Sequence, residues 1–358
     1  MINNPLNLPE ADLEEVFVAL IDDWEKLRNQ NVFITGGTGF IGKWLIATLF
    51  YADHKLDLNT NIYALTRSPK DFCEKFPVLL KYKKLHLIEC DIRHFNKIET
   101  PFCSFGIHAA LDVEKKVSNR QIVDTAFNGT SNFLLNFLND EQKVTQSMLL
   151  ISSGAVYGEN FAYSGLISET DTRAPSPAIP KSAYGEGKRL SELLCSIAHE
   201  DNKQLNCAIA RCFAFVGPCL PLKKHFAIGN FISDVLEGKD IQIKGDGTPI
   251  RSYLYASELA VSLWKLLLKV QGINTYNIGG KEQVSIEQLA KVVVSVMSGK
   301  NSIEVLEKKH APTSASMYVP NISKFKTDFH WEPTISLEEA IKRTAEWAVR
   351  SGEINVGG

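Results

Sequence analysis

Short apolar runs alternate with longer stretches in which apolar residues recur every three or four positions, the mark of strands alternating with amphipathic helices. Residues 12–28 set Leu13, Val16, Phe17, Leu20, Ile21, Trp24 and Leu27 at helical spacing, with Asp12 and Glu15 spaced as an N-terminal capping box. This predicts one amphipathic helix packed on its own domain, a subunit contact being the alternative. Runs at 31–35, 61–66, 85–90 and 107–110 predict buried strands. A helix through Trp44, Leu45, Leu49 and Phe50 follows the first, and Asn128-Gly-Thr130 opens another through Phe133, Leu134, Phe137 and Leu138. The run 148–157 is an apolar strand entering two serines, and 207–213 is a further strand closed by Gly217-Pro218. Between them lies a helix with Ser182 as N-cap and Leu190, Leu193, Leu194 and Ile197 on one face.

Beyond 217 the pattern loosens. Residues 218–225 make a Pro- and Lys-rich excursion, and 245–249 a turn cluster. A strand at 253–255, another segment at 276–280 and helices at 286–297 and 337–349 follow. Strands alternating with helices imply a parallel sheet covered on both faces, with ligands at the carboxyl ends of its strands.

Composition narrows the classes. With 44% hydrophobic and 22% charged residues the chain is ordinary globular protein, and a formal net charge of -2 gives no basic surface for nucleic acid or membrane. No apolar run approaches a membrane span, and no basic segment leads into an apolar one at the N-terminus. The seven cysteines form no C-x-x-C pair and the eight histidines no ligand spacing, so the expectation is reduced thiols in a cytoplasm and no metal.

The chemistry starts at 36–42, Gly-Gly-Thr-Gly-Phe-Ile-Gly, between the first strand and its helix. In that context Gly36 permits a tight turn, Gly39 brings backbone N–H groups to a pyrophosphate at the positive helix end, and Gly42 allows close helix–strand packing. The reading is a dinucleotide-binding domain over 30–216, preceded by a helical extension at 1–29. A substrate-binding region over 217–350 follows, interleaved with segments that return to the first domain. The fold class is therefore α/β, a Rossmann-type doubly wound parallel sheet with a smaller α/β substrate-binding domain. The second strand ends Thr66-Arg67-Ser68 without the carboxylate that holds the NAD ribose, so Arg67 tilts the cofactor, NAD or NADP, toward NADP.

Tyr184 and Lys188 stand four apart, one above the other on a helix face. An ammonium there favours the phenolate and lowers the tyrosine from its usual value of about 10, which suits a proton shuttle. Gly185 and Gly187 each cost roughly 1 kcal/mol against alanine in that helix. Close approach of a ligand to the backbone would account for them.

From Asn31 to Trp347 the motifs GGTGFIG, CDI, HAA, NGT, SSGAVYG, YGEGK, RCFAFVGP, GDGTPIRSYLY, YNIGG and WEP occur in order. In this the chain resembles an extended short-chain dehydrogenase/reductase of the NAD(P)-dependent nucleotide-sugar epimerase/dehydratase type. The resemblance implies hydride transfer at a sugar carbon, usually C4, of a nucleotide-diphosphate sugar, in a homodimer. It implies Ser153, Tyr184 and Lys188 as the catalytic set, with Tyr184 the acid/base and Lys188 also on the nicotinamide ribose. It implies Gly36, Gly39, Phe40, Ile41 and Gly42 on the pyrophosphate, Asp91 and Ile92 at the adenine, Ala109 and Ala110 beyond them, and Asn230 and Arg251, with Ser153, on the substrate.

Three departures matter. Relatives that dehydrate carry Asp-Glu after the catalytic serine or threonine, and decarboxylases often a Glu; here Gly154-Ala155 stands there, with Glu169 and Glu186 the substitutes. Ala214 replaces a familiar Asn, and no arginine lies between 252 and 342, leaving Lys308, Lys309 and His310 as basic candidates. The expected activity is 4-epimerase or 4-keto reductase. A 4,6-dehydratase or decarboxylase is the alternative, and a non-catalytic NAD(P) sensor a second.

Overall fold

The computed structural model describes residues 4, 6–94, 98–111, 117–138, 146–158, 165–224, 226–307 and 316–354. The chain divides into two units, the first drawn from 1–158, 173–212 and 260–276, the second from 159–172, 213–259 and 277–358.

In the first unit, α1 (Glu10–Ala19) precedes β1 (Asn31–Thr35), α2 (Phe40–Leu56), β2 (Asn61–Thr66), α3 (Pro69–Lys75), β3 (Leu85–Glu89) and β4 (Phe105–His108). Then come α4 (Asn119–Asp124), α5 (Thr130–Phe137), β5 (Gln146–Ser153), α6 (Ala183–Asp201) and β6 (Leu205–Cys212). With the strand Ile273–Ile278 they form a seven-stranded sheet in the order Ile273–Ile278, β6, β5, β4, β1, β2, β3. The pairs from β6 through to β3 all run parallel. This is the doubly wound sheet the alternation of strands and helices predicts. The central strands read as unbroken apolar runs because helices cover both faces: Val32, Phe33 and Ile34 of β1 and Met148, Leu149 and Leu150 of β5 are all buried. One side of the core is a ladder of rings, Phe33 on Phe133 at 5.7 Å and Phe133 on Phe137 at 5.5 Å.

Three elements differ from expectation. The helix over 12–28 is shorter: α1 ends at Ala19, and Trp24–Leu27 is a separate 3-10 turn. Breaking there lets the Trp24 indole donate to Phe17 O at 3.0 Å and lie edge-on to Trp264 at 5.4 Å. Asp12 is not the cap residue; Pro9 is, and Asp12 is buried inside the first turn. The segment packs on its own unit, with buried Asp23 binding both Lys26 at 3.1 Å and Lys269 at 3.0 Å. The helix expected from Asn128 starts earlier, at a Ser118–Gln121 capping box, and runs α4, a π turn Thr125–Gly129, then α5. The strand expected over 148–157 stops at Ser153, where a 3-10 turn Gly154–Tyr157 takes over.

The second unit pairs Ala214–Val216 with Tyr253–Tyr255, and Ile241–Ile243 with Ile303–Val305, both parallel. Ile250–Arg251 lies between Val284–Ser285 and Met317–Tyr318. Its helices include Ala227–Leu236, Ile286–Val296 under a Ser285–Gln288 capping box, and Leu337–Arg350 capped by Ser336.

Candidate active site

The sheet reverses its winding between β1 and β4, and the glycine turn sits at that point. Gly36 has φ +72°, and a Cβ on it would stand 2.8 Å from the Ala109 carbonyl carbon just past β4. A Cβ on Gly42 would stand 2.4 Å from Gly36 O, so this glycine lets α2 begin against the turn. Gly39 caps α2 and is exposed, Phe40 and Ile41 follow it partly buried, and no acidic side chain lies in the first turn. A bend, an exposed glycine and an unopposed helix N-terminus fit the pyrophosphate of a dinucleotide. Ala109 and Ala110 flank the same place, Ala109 N–H donating to Thr35 O at 3.1 Å. At the end of β2 the Thr66 hydroxyl lies 3.3 Å from that of Thr38, and Arg67 is exposed.

Asp91 ends the next loop with its carboxylate engaged by Arg93, Nη2 at 2.6 Å and Nε at 2.9 Å, which holds it down to about 2. Ile92 is buried in the core, and its carbonyl accepts from Asn132 at 2.8 Å.

Ser153 ends β5, pairing in register with Cys212 of β6, and Tyr184 and Lys188 reach this strand from α6. The Ser153 hydroxyl accepts from Ala155 N–H at 3.1 Å and hydrogen-bonds the Tyr184 phenol. Lys188 is buried and donates to Ile151 O at 2.5 Å. The protonation balance is the reverse of the one the Tyr–Lys spacing suggests. Burial pushes Tyr184 up to about 12 against the pull of the Ser153 bond, and burial brings Lys188 down to about 8. Removing water disfavours the charged form of each, leaving Tyr184 a neutral phenol and Lys188 still mostly an ammonium near pH 7.

The glycines of α6 also have a different reason from the one expected. A Cβ on Gly185 would stand 2.6 Å from Ala155 O, and one on Gly187 3.0 Å from the Ala126 Cβ. They admit the protein's own backbone and α4–α5 rather than a ligand. Ser182 makes no capping bond, because a 3-10 turn Pro180–Ser182 leads into the helix. The buried face of α6 is small and polar, while Leu193 and Ile197 point to solvent at 55% and 45% exposure.

Two buried polar systems brace α6, and neither was anticipated from sequence. In one, Glu192 takes Arg211 through Nη2 at 2.7 Å and Nε at 3.0 Å and accepts from Ser152 Oγ at 2.5 Å, while Arg211 Nη1 donates to Tyr157 OH at 2.9 Å. In the other, His108 lies between the hydroxyls of Thr35 at 2.8 Å and Thr130 at 3.1 Å, and Thr130 donates to Ser191 at 2.9 Å. Burial, then the Lys188 charge, brings His108 down to about 3, so it is a neutral link. A signal existed for the first system: Glu192 continues the four-residue spacing of Tyr184 and Lys188, and Arg211 interrupts an apolar strand.

Asn230 and Arg251 belong to the second unit. Asn230 is partly buried in the helix Ala227–Leu236. Arg251 donates to Ser316 O at 3.3 Å, its guanidinium 5.5 Å from the Tyr318 ring centre. Of the substitute acids, Glu169 accepts from Asn277 N–H at 2.8 Å in the second unit, and Glu186 pairs with Arg189 at 3.6 Å on α6. Lys308, Lys309 and His310 lie outside the described residues. Among the described residues no acidic, histidine and cysteine cluster could hold a metal, and no helix is long and apolar enough to cross a membrane.

A family model described as the NAD dependent epimerase/dehydratase family matches residues 32–279. The chain is similar to UDP-glucuronic acid decarboxylase 1 of Arabidopsis thaliana, 27% identical over 88% of this chain and 69% of that protein. It is equally similar to the UDP-glucuronate 4-epimerase of Thermodesulfobacterium geofontis, 27% identical over 90% and 97%. Among solved structures, the UDP-glucuronic acid 4-epimerase of Bacillus cereus, in complex with UDP-glucuronic acid and NAD, shares the fold. Its TM-score is 0.69 at 24% identity, covering 89% of this chain and 99% of that one.

Proposed function

The chain belongs to the NAD-dependent epimerase/dehydratase family, and from that premise we propose that it transfers hydride at C4 of a nucleotide-diphosphate sugar, oxidising and re-reducing that carbon as a 4-epimerase or reducing a supplied 4-ketone as a 4-keto reductase. The observation that carries this reading is the meeting of Ser153, Tyr184 and Lys188 at the ends of β5 and β6 in the sheet that bears the glycine turn. The bound nicotinamide would supply the hydride acceptor and donor. Ser153 holds the sugar hydroxyl beside the Tyr184 phenol, which moves its proton. Lys188 holds the ribose hydroxyls of the dinucleotide and stabilises the phenolate form when it arises. Gly36, Gly39, Phe40, Ile41 and Gly42 hold the pyrophosphate, Asp91 and Ile92 the adenine side, and Ala109 and Ala110 the wall between. Asn230 and Arg251 serve the substrate diphosphate, an arginine giving paired charge-assisted bonds to phosphate.

Gly154 and Ala155 follow Ser153 in a 3-10 turn, at the positions where the family resemblance expects an acid for dehydration or decarboxylation, and neither carries one. Re-reduction in place is then the outcome. UDP-sugars are the first substrates to test, since both named relatives act on UDP-glucuronate. Arg67, in the place of a ribose-binding carboxylate, favours NADP. Exposed Val123 and Phe127 along the α4–α5 path and Leu193 and Ile197 on α6 support a homodimer. Seven cysteines with no C-x-x-C pair suit a cytoplasmic enzyme.

The deciding assay incubates the protein and dinucleotide with UDP-, dTDP-, CDP- and GDP-sugars, hexuronates and 4-keto sugars included, in heavy water, separates the products by chromatography and weighs them. An epimer of unchanged skeleton with no net nicotinamide absorbance change, or a reduced sugar formed with equal NADPH consumption, is expected. A product lighter by water and carrying solvent deuterium, or one lacking carbon dioxide, overturns the reading.

A further inference from the structure

Lys188 is enclosed by its own unit. Facing it are Cys212 of β6, Glu192 and Cys195 of α6, and His108 of β4, while β5 contributes the Ile151 carbonyl. His108 sits at about 3, Cys212 is pushed up to about 12 by burial, and Cys195 is raised by its bond to Cys207 and by burial. All three are neutral near pH 7. The Glu192 carboxylate is what remains to oppose the lysine charge among these groups.

That carboxylate is fixed from three elements. Ser152 precedes Ser153 on β5, Arg211 precedes Cys212 on β6, and Glu192 lies one turn beyond Lys188 on α6; their bonds run from 2.5 to 3.0 Å. Arg211 also reaches Tyr157 at 2.9 Å, at the end of the turn that follows Ser153. We propose that Glu192 is a positioning residue for this site: held by Arg211 and Ser152, its carboxylate supplies the negative charge that faces the Lys188 ammonium and locks α6 to the two strand ends that carry Ser153 and Cys212. It acts through Arg211, Ser152 and Lys188. The proposal rests on the assignment of Lys188 to the dinucleotide made above.

The sign of the effect is fixed. A lysine is charged below its pKa, so dinucleotide affinity falls as pH rises through it. Removing the facing carboxylate disfavours the ammonium, so that fall moves to lower pH. Glu192→Gln alone leaves the Arg211 cation buried and uncompensated, which adds its own push in the same direction; Glu192→Gln/Arg211→Met removes both charges, and because Glu192 is the member of the pair that faces Lys188, the lost carboxylate still sets the sign.

The experiment titrates NAD+ and NADP+ calorimetrically across about pH 6 to 10, with Lys188→Ala as the reference that lacks this limb. The wild-type fall in affinity is expected near pH 8, following the lysine, and the double variant should show it about one unit lower, roughly tenfold weaker binding at pH 8. A limb that stays at the wild-type pH, or affinity lost equally at every pH, overturns the proposal. If the double variant does not fold, Ser152→Ala decides: a smaller shift of the same sign supports the proposal and an unmoved limb sinks it. The readout needs no sugar, so the nucleotide-sugar reading stands or falls separately by its own assay.

Discussion

The helices α2 and α6 both carry glycines in their opening turns, and the two sets answer to different neighbours. At α2, Gly36 and Gly42 let the chain fold onto itself, leaving Gly39 exposed at the helix end. At α6, Gly185 and Gly187 are covered by Ala155 and Ala126 of the same unit. The first helix end is left open at Gly39. The second is packed against its own unit at both glycines. A glycine in a helix start thus marks close approach, but only the surroundings say whether ligand or protein approaches.

The sharpest break of this contrast is Tyr184→Phe. It removes the proton carrier from α6 while leaving α2 untouched. Turnover of the sugar identified above should fall roughly 10²–10⁴-fold, with calorimetric dinucleotide affinity unchanged; near-native turnover removes Tyr184 from the chemistry. Gly42→Ala breaks the other end. Its Cβ at 2.4 Å from Gly36 O forces the turn open at about 1–3 kcal/mol, and both melting temperature and dinucleotide affinity should drop. Gly185→Ala meets Ala155 O at 2.6 Å and Pro175 at 2.7 Å, a similar overpacking of about 1–3 kcal/mol. Here turnover should suffer more than dinucleotide affinity. Equal losses of the two quantities in both glycine variants would erase the distinction between the helices. Arg67→Ala is the mildest, because the residue is exposed: NADP+ affinity should fall about tenfold, as for one bond to a charged group, and NAD+ affinity should hold. Equal change for both dinucleotides would show that Arg67 does not read the extra phosphate.

The sheet was legible because β1, β2 and β5 are buried on both faces and leave unbroken apolar runs. Tyr184 and Lys188 were legible as a spacing and Ser153 through the family resemblance; the structure bonds Ser153 to Tyr184 and sets Lys188 on the Ile151 carbonyl of the same strand as Ser153. What the sequence hid was long-range. Glu192 and Arg211 each leave a local hint, but nothing local announces that they meet each other across 19 residues, or that His108 meets Thr35 across 73. The protonation of Tyr184 was misjudged for a related reason: spacing reports a neighbouring charge, while the removal of water depends on everything folded around it. The leucine stripe of α6 follows helical period correctly, yet Leu193 and Ile197 face outward, because period gives a face and not its direction. The N-terminal segment broke at Leu20 for the sake of the Trp24–Trp264 contact, which lies 240 residues away in sequence.

The strand Ile273–Ile278 lies outermost beside β6, yet 213–259 of the other unit is translated between them. At a synthesis rate of about 5–20 residues per second, the nascent chain spends several seconds with β6 as a bare sheet edge. During that interval Cys207 N–H lacks its Gly272 carbonyl, and Trp24 and Asp23 lack Trp264 and Lys269. An exposed parallel edge is a template for pairing with another chain. Fragments ending before Ile273 are therefore expected to give a lower soluble yield than the full chain, however intact their dinucleotide fingerprint.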